Sequence, residues 1–269
     1  MSFNIRYDSG EESRDRNAWV SRNGLHRRDL VFRLIDETNP DILGLQEVLP
    51  NQRRDLAAHL EGYEGYGVGR DDGVELGEQC AIFVRTKRFE VLDRGTFWLC
   101  DTPDQAGAKH PDAACVRVAS WVKLADRQAN SRELWVVNSH WDHVSQPARQ
   151  QAAEVIREQM ATMIKSAPAL LMGDFNAAER SSEIAALLAA GSEEPPRLKD
   201  AYRLLHPERT DQEASFQGFT PRTKGHRIDY VLTTPDFAPQ SAKILTTSYE
   251  GRMPSDHYPV VVELQWKGE

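Results

Sequence analysis

The groups able to do chemistry in this sequence sit at the ends of short apolar runs. Glu47 closes DILGLQE (41–47), His140 closes ELWVVNSH (133–140), and Asp174 and Asn176 close ALLMGDFN (169–176). Asp229 lies inside RIDYVL (227–232), while Asp256 and His257 stand just before YPVVVELQW (258–266). Taken singly, a carboxylate at a strand end reads first as a turn-former or helix cap, and a lone histidine as a satisfied core or surface imidazole. Asp229 is different: an ionised group embedded in an apolar strand needs a partner, and a histidine is the natural one. Asp174 and Asn176 are two apart, so on an extended strand they would share a face.

Those groups must be positioned by the runs they end. The same five runs, with CAIFV (80–84) and CVRVASWVKL (115–124), are rich in β-branched and aromatic residues and read as strands. Leu30, Val31, Leu34 and Ile35 make one helical face that stops at Asn39-Pro40, and Ala152, Ile156, Met160 and Met163 make another behind Pro147. A third helix is predicted from Ser181-Ser182 to a stop at Gly191. Adjacent strands mixed with strand–helix alternation predict an α/β protein with mixed sheets. GSEEPPR (191–197) is the best boundary candidate, but the motifs before and after it are alike, so residues 1–269 are expected to form a single domain.

Composition narrows the function classes. With 269 residues and a net charge of −8, the chain lacks the basic footprint of a protein that grips long duplexes. Its three cysteines, Cys80, Cys100 and Cys115, have no zinc-type spacing, and a Cys100–Cys115 bridge is possible but unsupported. No run is long and apolar enough to span a membrane, and MSFNIRY lacks the features of a signal peptide. A soluble protein is expected, cytoplasmic or exported after processing, with no obligate protein partner evident.

In order, SFNI with Asn4, LQE with Glu47, NSHWDH with His140, GDFN with Asp174 and Asn176, RIDY with Asp229 and SDHYP with Asp256 and His257 resemble the endonuclease/exonuclease/phosphatase superfamily. The resemblance to these DNase I-like and exonuclease III-like phosphoesterases implies a four-layer α/β sandwich, two mixed β-sheets packed face to face with helices outside. It implies Mg²⁺ or Mn²⁺ at Glu47, with Asn4 and Asp256 in the same shell or bound through water. His257 would approach the scissile phosphate with Asp229 on its other nitrogen, Asp174 or His257 would act on the attacking water, and Asn176 would donate to a phosphate oxygen. Glu78 of GEQCAIF would orient His140, as in the DNase I branch; solvated surface is the equal alternative. Arg117 could contact substrate phosphate, although a solvent-facing strand position is slightly favoured, and His143 reads as structural. Trp19, Trp98, Trp141 and the phenylalanines of SFQGF (215–219) could rim the pocket, with core packing the default.

NIRYDSGEESRDRNAW departs from the NxNGxR stretch of abasic endonucleases, and the chain looks most like compact bacterial members of this superfamily. The expected activity is metal-dependent hydrolysis of a small or short single-stranded phosphate ester by a phosphodiesterase or phosphatase. A nuclease, deadenylase-like included, and a catalytically silent binding module of the same fold are the alternatives.

Overall fold

The computed structural model describes residues 1–9, 17–21, 24, 26–188 and 197–268. In chain order these form β1 (Ser2–Asn4), α1 (Arg27–Thr38), β2 (Ile42–Val48), α2 (Pro50–His59), β3 (Tyr63–Tyr66), β4 (Gln79–Arg85), β5 (Phe89–Trp98), β6 (Val118–Asp126) and β7 (Arg132–His140). The second half adds α3 (Gln146–Met163), β8 (Ala169–Asp174), α4 (Ser182–Leu188), β9 (Lys199–Asp200), α5 (Ala201–Leu205), β10 (Asp229–Thr233), β11 (Phe237–Ile244) and β12 (Val260–Trp266). The strands make two six-stranded mixed sheets, ordered β11-β12-β1-β2-β4-β3 and β5-β6-β7-β8-β10-β9.

Alternation along the strands builds three apolar layers. On β7, Val136 faces the space between the sheets and Val137 faces the helices outside; on β8, Leu170 and Met172 point inward while Ala169 and Leu171 pack under α3 and α4. The other sheet does the same, with Ile82 and Val84 inward and Leu43, Leu45, Ala81 and Phe83 outward beneath α1 and α2. The result is the expected helix–sheet–sheet–helix sandwich. The helix pattern holds too: Asn39, at φ 50°, stops α1, and Ser145 caps α3 by accepting from the Ala148 amide. The predicted stop of the third helix at Gly191, and all but Arg197 of the 191–197 segment, lie outside the described residues.

Several expectations about the strands are corrected. Cys115–Arg117 precede β6, and β8 ends at Asp174, because Asn176 turns left-handed at φ 48° and cannot continue an extended strand. Asp229 is the first residue of β10 rather than an interior one. All three thiols are free, so Cys100 and Cys115 do not pair.

The GDFN motif shows how tightly the site is framed. A Cβ on Gly173 would lie 2.0 Å from the Ser139 carbonyl of the neighbouring strand, so only glycine lets β7 and β8 approach there. Phe175 stacks between Trp141 (4.5 Å) and Tyr230 (5.2 Å), anchoring the turn after the strand. Gly173→Ala is expected to cost about 3 kcal/mol and to lower Tm by roughly 6–12 °C in a thermal melt.

Candidate active site

Strand parity brings the polar residues together. His140, Asp174 and Asp229 are lateral neighbours on β7, β8 and β10, and each falls on the inward-facing register of its strand. Asn4 takes the corresponding inward position at the end of β1. Beneath them the sheets are bridged by Gln46, whose amide donates to Asn138 Oδ1 at 2.6 Å, while Asn138 donates to the Leu45 and Ala81 carbonyls, 2.9 Å each.

Glu47 would point the other way on a regular strand. A bulge between Leu45 and Val48 inserts an extra residue opposite β4, with Glu47 at φ 62°. Leu45 and Val48 therefore both pack outward under the helices, and Glu47 turns into the cleft with Gln46 behind it. There the Asn4 amide donates to Glu47 Oε1 at 2.9 Å and to Asp174 Oδ2 at 3.0 Å.

Asp174 Oδ2 is the hub. Besides Asn4 it lies 3.4 Å from His140 Nε2 and 3.6 Å from His257 Nε2. His257 Nδ1 meets Asp229 Oδ2 at 2.9 Å, the pairing that explains a carboxylate starting an apolar strand. The Ser215 hydroxyl accepts from the Ile228 and Asp229 amides, and Phe216 bridges backbone to backbone with His257, so SFQGF is strapped to SDHYP.

Burial and neighbours separate the titrations. Burial raises Asp174 to about 7, helped by Asp229 and opposed by His257. Burial disfavours charge on His257, but Asp229 and Asp174 outweigh it and lift it to about 10. His140 is held well below its ordinary value by burial and by the Arg117 charge. Glu47 is lowered in spite of burial, by the Asn4 hydrogen bond and the His257 charge, whereas burial raises Glu78 and Asp256.

The cleft above these groups has a volume of about 550 Å³. Glu78 lines it, with Oε2 3.9 Å from His140 Nδ1 and 2.7 Å from Arg70 NH1. Both N–H groups of the Asn176 amide are engaged, on His140 Nε2 and the Trp141 carbonyl, 3.0 Å each. Asn176 thus orients His140 with its proton on Nδ1, toward Glu78, rather than aiming at a phosphate. Arg117 is buried at 7% exposure and lines the cleft, which corrects the solvent-facing expectation; its NH2 lies 2.9 Å from His143 Nδ1. Trp19, Trp98 and Trp141 are buried in the core and rim nothing, but Phe216 is exposed and tilts against His257 at 5.1 Å.

Two cleft arginines were not singled out from sequence. Arg6 lies 3.4 Å from Glu47 and 3.7 Å from Asp256, and Arg70 holds Glu78. Each sits inside a motif, NIRYD and GVGRDDG, but nothing in either string says where the guanidinium goes.

The donor set suits a hard divalent cation. Glu47 and Asp256 are buried carboxylates in one cleft, both drawn to the same positive charge on Arg6, and oxygen is what Mg²⁺ and Mn²⁺ prefer. Asn4 differs from the expectation: its Oδ1 accepts the Arg6 amide at 2.9 Å, so it presents nitrogen, not oxygen, to the carboxylates. Asp174, Asp229 and His257 also lie within 4.8 Å of one another, as do Cys115, Asp142 and His143. His257 Nδ1 takes Asp229 Oδ2, leaving Asp229 Oδ1 buried without a hydrogen-bond partner, and Asp142 accepts the Ala114, Val144 and Ser145 amides.

Residues 1–257 match the family model described as endonuclease/exonuclease/phosphatase family. The chain belongs to the endonuclease/exonuclease/phosphatase family. Among solved structures, a mannosyl-6-phosphatase of Bacteroides thetaiotaomicron VPI-5482 is 33% identical, with a TM-score of 0.86 and 98% of each chain covered. An endonuclease/exonuclease/phosphatase from Bacteroides vulgatus is 35% identical, with a TM-score of 0.84 over 99% of this chain and 97% of that one. The human Nocturnin catalytic domain with bound sulfate shares the fold at 21% identity and a TM-score of 0.71, over 98% and 93% of the two chains. No curated protein sequence matches significantly.

Endonucleases, exonucleases and phosphatases all cleave phosphoric esters, and that is the chemistry this endonuclease/exonuclease/phosphatase family membership supports. No helix among the described residues is long and apolar enough to cross a membrane. In metal-free buffer, Asp229→Asn is expected to lower the His257 titration from about 10 by roughly two units. An NMR pH titration of the imidazole checks this; an unmoved titration would mean that Asp229 is not what raises it.

Proposed function

We propose that the protein is a divalent-metal-dependent phosphatase or phosphodiesterase acting on a small phosphate ester. The observation that carries this reading is the convergence of Glu47, His140, Asp174, Asp256 and His257 on one cleft, backed by buried Asn4 and Asp229 and organised around Asp174 Oδ2 and the 2.9 Å His257–Asp229 pair.

Glu47 and Asp256 would hold Mg²⁺ or Mn²⁺, and Asn4 would set the spacing between Glu47 and Asp174 by donating to both. The bound ion would polarise a phosphoryl oxygen and offset charge developing on phosphorus. Asp229 fixes the His257 ring so that Nε2, 3.6 Å from Asp174, faces the reacting centre. A water placed at Asp174 Oδ2 would lie against the carboxylate that removes its proton, while His257 donates to a phosphoryl oxygen. His140, accepting from Asn176 on Nε2 and facing Glu78 with Nδ1, is held neutral beside Asp174 and would fix one wall of the phosphate site. Arg117, buried yet lining the cleft, with Nε 3.9 Å from Asp142 and NH1 without a hydrogen-bond partner, adds positive charge beside it.

A cleft of about 550 Å³ on a chain of net charge −8 suits a compact ester better than a long duplex. The mannosyl-6-phosphatase, similar over nearly its whole length, puts sugar phosphates first among the substrates to test.

The test is a panel of p-nitrophenyl phosphate, bis-p-nitrophenyl phosphate, hexose 6-phosphates, nucleotides, single-stranded DNA and poly(A), assayed with Mg²⁺ and with Mn²⁺. Chelation is expected to abolish hydrolysis, and added metal to restore it and raise Tm. Asp174→Asn is expected to lower kcat roughly 10³-fold in steady-state assays. Turnover that survives both chelation and Asp174→Asn would sink the mechanism.

A further inference from the structure

Arg6 stands between the two carboxylates assigned to the metal, and it is tethered unevenly. The Arg6–Tyr7 backbone is pinned at four points. The Arg6 amide donates to Asn4 Oδ1 at 2.9 Å, the Tyr7 amide donates to Glu47 Oε2 at 3.1 Å, and the Arg6 carbonyl accepts from Arg27 and Gln52, 2.9 Å each. Arg6 is held left-handed at φ 56°, a conformation a side-chain-bearing residue keeps only where its surroundings enforce it.

The guanidinium is held far more loosely. It reaches Glu47 at 3.4 Å and Asp256 at 3.7 Å, against 2.7 Å for Arg70 on Glu78, and its side chain is 37% exposed. It also lies 4.1 Å over the Tyr7 ring, an apolar face along which it can slide. The head can therefore leave the carboxylates without disturbing the backbone that aims Glu47 and Asn4.

We propose that Arg6 is a built-in competitor for the divalent cation: its guanidinium neutralises Glu47 and Asp256 until an ion takes both carboxylates, and then turns on its fixed backbone to bind substrate phosphate. Two buried carboxylates facing one cleft need compensating charge, and a monovalent guanidinium supplies it at a distance a divalent ion can outbid. The ion and the guanidinium repel each other, so loading one releases the other. Once released, the planar fork matches two phosphoryl oxygens. Metal loading thus arms the cleft for its anionic substrate.

This inference rests on the divalent-ion reading above, and the experiment separates the two. Metal-stripped wild type, Arg6→Met and Arg6→Lys are titrated with Mn²⁺ by calorimetry, and the Mn²⁺-saturated proteins are then titrated with inorganic phosphate. Arg6→Met is expected to bind Mn²⁺ roughly tenfold more tightly than wild type, and phosphate roughly tenfold more weakly. Arg6→Lys, which keeps the charge, is expected to bind Mn²⁺ like wild type. Circular dichroism confirms folding, and Arg6→Gln carries the same comparison if the apolar variant does not fold. Equal Mn²⁺ affinity in wild type and Arg6→Met overturns the competitor while leaving the metal site standing; unchanged phosphate affinity overturns the second role. Failure of every form to bind Mn²⁺ overturns both readings.

Discussion

The structure depends on one constraint: acidic side chains buried between two sheets must be satisfied from the opposite sheet. The His257–Asp229 hydrogen bond is the clearest instance. His257 precedes β12 in one sheet, Asp229 begins β10 in the other, and both are buried. Asn4 on β1 repeats the arrangement by reaching Asp174 on β8, and Gln46 on β2 does so deeper, on Asn138 of β7. Removing one partner of such a pair strands a buried polar group, which costs more than the bond itself contributes. The groups that could do chemistry are therefore also the polar fasteners at this end of the sandwich.

That double duty explains the local irregularities. A bulge at Glu47, a left-handed Asn176 and a glycine at 173 each break strand regularity where the sheet meets the cleft. Each departure re-aims one side chain or admits one close approach, and the surrounding apolar packing holds it in place. Phe175 between Trp141 and Tyr230 is the plainest case, a stacked aromatic column under the turn that carries Asp174 and Asn176.

Charge is handled by the same economy. Carboxylates in the cleft face guanidinium groups from two separate segments, Arg6 on Glu47 and Asp256 and Arg70 on Glu78, and Arg117 adds a third guanidinium beside His143. An acidic chain can in this way still present a cleft that welcomes a phosphate, because the positive charge is local and oriented.

How much of this was legible depended on the range of the interaction. Hydrophobic alternation determined the α/β class and most strands, because period-two burial is a local property, whereas it was the resemblance of the ordered motifs to the family that named Glu47, His140, Asp174, Asp229 and His257 as members of one site. Short or half-exposed strands such as β3 (burial mixed along its length) and β11 carried too weak an alternation to be read. Only the tertiary structure decided that Asn4 offers its nitrogen rather than its oxygen, that Asn176 serves His140, that Arg117 is buried in the cleft rather than solvent-facing, and that Arg6 spans Glu47 and Asp256. Those outcomes depend on hydrogen-bond partners supplied by residues tens or hundreds of positions away, and on a bulge whose register exists only once β2 has paired with β4.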